Sequence, residues 1–118
     1  MKTTVATSIL LIALGAGPAF ADCTTPDETK VAIPSGAQAT RDEMVAAQSA
    51  VKAFDAAVAA YSDCLKQDEA AQIAAGGDKA KVHAELVKLN NDAVTKLQMI
   101  ADKFNEELRA FKAKTTPQ

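Results

Sequence analysis

The chain has 118 residues, with 13 Lys and Arg against 15 Asp and Glu and a formal net charge of −2. This mixed, slightly acidic balance excludes nucleic acid and an anionic membrane surface as electrostatic partners. The length allows one small domain with a modest core, and the abundance of alanine beside a single Tyr and no Trp favours long, closely packed helices.

Residues 1–21 read as a cleaved signal peptide. Lys2 stands near the start, an apolar run spans Ile9–Leu14, and Ala19-Phe20-Ala21 closes the segment with the small-x-small pattern that signal peptidase cuts. The apolar run is too short and wrongly flanked for a membrane span. Cleavage after Ala21 would leave a periplasmic or secreted chain with no membrane span. A lipid anchor on Cys23 is disfavoured, because Asp22 directly precedes it and Phe20 stands where a lipobox wants an aliphatic residue.

Residues 22–39 carry Pro26, Pro34 and Gly36 without helical periodicity and read as an extended arm. Thr40-Arg41-Asp42-Glu43 is a capping box, so a helix should begin there and run over about 41–74. Met44, Ala47, Val51, Phe54, Val58, Tyr61 and Leu65 recur at alternating spacings of three and four, the mark of a packed seam. Gly76-Gly77 supplies the left-handed backbone that ends a helix, and Asp78 caps a second one over about 79–112. Its seam is Val82, Leu86, Leu89, Ala93, Leu97, Ile100, Phe104, Leu108 and Phe111. Lys112 and Lys114 suit its negative end, with residues 115–118 as a frayed tail and residues 40–114 as the hairpin.

Each helix should be about 50 Å long at 1.5 Å per residue. The short connection makes them antiparallel, which gives an all-α two-helix hairpin. With the turn centred near Gly77, Met44 meets Phe111, Val51 meets Phe104, Phe54 meets Ile100, Val58 meets Leu97, Tyr61 meets Ala93 and Leu65 meets Leu89.

Beside the seam runs a stripe of small residues: Ala46, Ala50, Ala53, Ala57, Ala60 and Cys64. Cys23 and Cys64 lie too far apart for a CxxC or haem motif. In an exported chain they read as a structural disulfide, with an intermolecular bridge or a reactive thiol as the alternative. The arm is long enough to run back along the helix, up to about 55 Å extended against about 35 Å needed. It is therefore expected to cover the alanine groove, with Val31 and Ile33 touching it and Cys23 tied to Cys64. A partner helix is the other candidate for the groove. Val87, Val94 and Ala101, seven apart on the second helix, offer a flank for a weak homodimer.

Chemistry-bearing residues are few. His83 is the single histidine and stands near Asp78, Lys79 and Glu85, where it could join a metal site only with further ligands. Met44 and Met99 lie at the wrong levels to pair with it on a haem. Ser49 and Ser62 have no evident base. Asp92 and Lys96 are spaced for an i,i+4 pair, and Asn90 and Asn91 suit a role in register. No catalytic group and no cofactor are expected.

The segment IPSGAQATRDEMVAAQSAVKAFDAAVAAYSDCL, residues 33–65, resembles a recurring pattern of small exported bacterial helical-hairpin proteins. The shared positions are Pro34, Gly36, Ala37, Ala39, Thr40, Glu43, Met44, Ala47, Gln48, Val51, Lys52, Phe54, Tyr61 and Cys64. Phe104-Asn105, Leu108-Arg109 and Phe111-Lys112 follow. The resemblance implies export and a helical hairpin but carries no activity, and the LTxxQ repeats of one class of helical periplasmic chaperone are absent. The expected function is a non-enzymatic interaction or structural module with an unidentified protein partner. A small holdase-like chaperone or stress protein is the alternative, and a metal binder through His83 is the second.

Overall fold

Thr40 begins the architecture. Its hydroxyl accepts from the Glu43 N–H at 3.2 Å, and the Glu43 carboxylate accepts from the Thr40 N–H at 2.7 Å. This reciprocal cap opens helix α1, Arg41–Ala74. The computed structural model describes residues 23–116, so the expected signal peptide and its cleavage site lie outside the described residues.

Helix α1 ends in a Schellman motif. The Gly76 N–H donates to the Ile73 carbonyl and the Gly77 N–H to the Gln72 carbonyl, with Gly76 at φ +94°. Asp78 then caps helix α2, Lys79–Thr115, its carboxylate accepting from the Lys81 N–H at 3.0 Å. Helix α2 runs three residues past the expected end. The Thr115 and Thr116 hydroxyls fold back onto the carbonyls of Phe111 and Lys112, and Lys114 donates to the Ala39 carbonyl at 2.6 Å. The last turn is thus held at both its backbone and a side chain.

The two helices pack antiparallel as a hairpin, and their seams meet in two clusters. Phe54, Val58, Tyr61 and Leu65 pack with Leu86 and Ala93, joined at the edge by Leu89, Leu97 and Ile100. Nearer the open end, Met44 and Ala47 pack with Phe104, joined by Val51, Leu108 and Phe111. Register is fixed by polar contacts between the helices. The Ser62 hydroxyl donates to Asn90 Oδ1 at 2.5 Å, and His83 Nδ1 lies 2.8 Å from Glu69 Oε1. Going from the first pair to the second moves seven residues forward on α1 and seven back on α2, as an antiparallel pair must. Among the described residues, no helix is long and apolar enough to cross a membrane.

The arm returns along the hairpin, antiparallel to α1. Cys23 is bonded to Cys64 within the chain, with their Cα atoms 5.6 Å apart. A single 3₁₀ turn, Glu28–Lys30, follows; its N-cap Asp27 accepts from both the backbone and the hydroxyl of Thr29. Val31 packs on the first cluster and Ile33 on the second.

Candidate functional site

The arm does not cover the alanine groove as expected. Ala46, Ala53, Ala57 and Ala60 stay exposed, and only Ala50 and Cys64 are partly buried. The arm instead lies over the furrow between the helices, because three contacts draw it toward α2. Glu28 pairs with Lys96 at 2.7 Å, the Gly36 N–H donates to Glu107 Oε2 at 2.7 Å, and the Ala39 carbonyl accepts from Lys114. The physical reason is area. Two helices cannot enclose Phe54 and Tyr61 by themselves, and shielding aromatic rings removes more apolar surface from water than shielding alanine methyls. With the arm in place both rings are about 95% covered, Phe54 4% and Tyr61 5% exposed.

The arm therefore forms a ridge with a hollow on each side. On the α1 side a cavity of about 510 Å³ is lined by the alanine stripe from Ala50 to Cys64, with Thr24–Asp27, Lys30 and Val31 as its opposite wall. On the α2 side a second cavity of about 410 Å³ reaches Leu89, Ala93 and Lys96. Thr25, Pro26, Phe54 and Tyr61 border both. Pro26 is buried between the two hollows, where a fixed φ and a missing N–H donor cost nothing because no ladder or helix needs that donor.

The seat of the C-terminal half of the arm is close. The Ser35 carbonyl accepts from the Gln38 and Ala39 N–H groups, a tight turn that aims the Gly36 N–H at α2. Glycine is required there, since a β-carbon would overlap the Glu107 carbonyl and lie 2.9 Å from the Phe111 nitrogen. Glu107 also accepts from Lys103 at 2.6 Å. That bond first, and the Gly36 N–H second, hold its carboxyl below the usual carboxylate range.

His83, Ser62, Ser49, Asp92 and Lys96 each have a partner within the fold. His83 faces Glu69 of the neighbouring helix rather than Asp78 or Glu85, and among the described residues no three His, Cys, Asp or Glu side chains converge. Ser62 is taken up by Asn90, while Ser49 donates to the Val45 carbonyl. The Asp92–Lys96 pair does not form. Asp92 pairs with Lys88 at 3.0 Å, and Lys96 turns to Glu28, which the arm brings within reach. The flank expected to face a second copy is partly used: Val94 packs on the core and Ala101 is partly buried, leaving Val87 39% exposed. What sequence reasoning missed is the second cavity and the ridge between the two. No local signal marks either, because both arise from where the arm sits.

The chain matches no family model, no curated protein and no solved structure.

Proposed function

We propose that this chain is an exported, non-enzymatic interaction module that receives an apolar helix or strand of another protein in the alanine groove. The observation that carries this reading is the groove itself, a run of exposed small side chains facing a wall built by the chain's own arm. Small side chains let a second backbone approach closely, and the wall gives the approach a direction. The disulfide supports an oxidising compartment, periplasmic or extracellular. The leader-like residues 1–21 support export with cleavage after Ala21. The resemblance to small exported hairpin proteins points the same way.

A holdase-like chaperone would need a broad apolar face. Among the described residues the exposed large apolar side chains are Val45, Val87 and Met99, which fall at different levels of the hairpin and form no common patch. This favours a defined partner over a general client.

Filling the groove tests the reading. A photo-crosslinker at Ala53 should give a discrete adduct in cells, and Ala57→Trp should abolish it while leaving helicity by circular dichroism unchanged. An adduct indifferent to Ala57→Trp rejects the groove. Suppression of aggregation of an unfolded client by both forms alike would shift the assignment to the holdase.

A further inference from the structure

We propose that the Cys23–Cys64 disulfide is a clasp, opened by a dithiol reductant, that holds the N-terminal half of the arm over the furrow while the C-terminal half stays seated. This rests on the groove being the binding surface and concerns how that surface is enlarged.

The two halves of the arm are anchored differently. In residues 24–33 the hydrogen bonds are local: Thr29 to Asp27, the Lys30 N–H to the Asp27 carbonyl, and the Val31 N–H to the Glu28 carbonyl. This half is joined to the helices by the disulfide, by the Glu28–Lys96 pair and by the apolar contacts of Pro26, Val31 and Ile33. The ion pair is about half exposed at both ends, and such pairs contribute little. Residues 34–39 hold on by other means: the Gly36–Glu107 bond, the Lys114–Ala39 bond and the burial of Ala39, 4% exposed. None of these involves the cysteines.

The clasp is also reachable. Cys64 borders the larger cavity, whereas Cys23 is 7% exposed, so a thiolate entering by the groove meets Cys64. Its attack on Cys64 Sγ forms a mixed disulfide and expels Cys23 as a thiolate, which takes up a proton. The second thiol of the reductant then displaces Cys64, which is protonated in turn. The reductant leaves as a disulfide, and the protein has gained two electrons and two protons.

Release changes the surface in a specific way. Thr25 and Pro26 separate the two cavities, and Phe54 and Tyr61 border both. When residues 24–33 lift, the hollows merge into one furrow floored by these two rings. The oxidised protein offers an alanine groove, and the reduced protein offers an aromatic one.

The arm carries its own reporter. Lys30 is the single Lys or Arg between Cys23 and Arg41, so trypsin reads the arm at the Lys30–Val31 bond. With the full chain purified oxidised, cleavage there should be slow. It should accelerate at least tenfold in dithiothreitol with helicity by circular dichroism retained. The Cys23→Ser/Cys64→Ser double variant should reproduce the fast rate without reductant, and Lys96→Ala should leave the oxidised rate slow. An unchanged rate on reduction overturns the clasp. Loss of helicity on reduction also overturns it, since the bond would then staple the whole fold, and a fast oxidised Lys96→Ala assigns the hold to the ion pair instead. The dye ANS separates release of the arm from enlargement of the surface. Release at Lys30 without added dye binding keeps the clasp and rejects the furrow as an apolar binding surface.

Discussion

Gly36 joins the arm to α2 through backbone alone. Its N–H reaches Glu107, and its missing side chain lets the arm come within contact of the helix. Gly36→Ala forces the two backbones apart, and a cost of about 1–3 kcal/mol is expected in chemical denaturation. The loss should appear at the open end of the hairpin, with the Lys30 cleavage of the oxidised chain little changed. Glu107, on the other side of this bond, makes the seat sensitive to acid. Its carboxyl is lowered first by Lys103 and then by the Gly36 N–H. A group whose pKa falls on folding adds stability that is full above its unfolded pKa and is lost as pH drops through the folded one. The seat is therefore steady from neutral pH down to the ordinary glutamate range and weakens only below it. By NMR the Gly36 amide shift should move in that acid window, and Glu107→Gln should remove the step. A Gly36 amide that titrates near neutrality would contradict this assignment.

At the scale of elements, the turn between the helices rests on Gly76, the residue with positive φ among those described. Gly76→Ala places a β-carbon on left-handed backbone and should cost about 1–2 kcal/mol in thermal unfolding, although the site is open in space. The helices were legible because their signals are local. The Thr40–Glu43 box, the three–four spacing from Met44 to Leu65, and the Gly76-Gly77-Asp78 junction each act within a few residues. They placed the start of α1, the turn and the start of α2 where the structure has them. The Cys23–Cys64 bond was legible from reach and compartment. The seat of the arm was not, because its anchors link Gly36 to Glu107 and Ala39 to Lys114 across more than seventy residues. The Asp92–Lys96 pair does not form because Lys88 takes Asp92 at the same i,i+4 spacing and Glu28 reaches Lys96 from elsewhere in the chain. The alanine stripe does form a groove with the arm beside it, but the arm, through Val31 among others, lines one wall instead of covering the alanines, since burying Phe54 and Tyr61 outweighs burying methyls.

For the whole molecule, the second face of the hairpin sets how it meets its own kind. Val94 is drawn into the core and Val87 stands out alone at 39% exposure, so the flank leaves only a narrow apolar strip. One valine contributes about 1–2 kcal/mol, so association through this strip can only be weak. We propose a weak homodimer there, seen in sedimentation velocity as a concentration-dependent exchange that Val87→Asp removes; a strict monomer at high concentration ends the proposal. The disulfide also closes a loop of 41 residues, which limits the unfolded chain by roughly 4 kcal/mol in the chain-entropy model, so the reduced hairpin should stay folded but melt lower. That ring carries a consequence in time. A chain is made from its N-terminus, so Cys23 in the arm appears first and Cys64 follows in the first helix, while Glu107 and Lys114 come last. The knot can be tied before the second helix exists. The strand that will lie across both helices is then already tethered to the first, waiting for the surface that completes its berth.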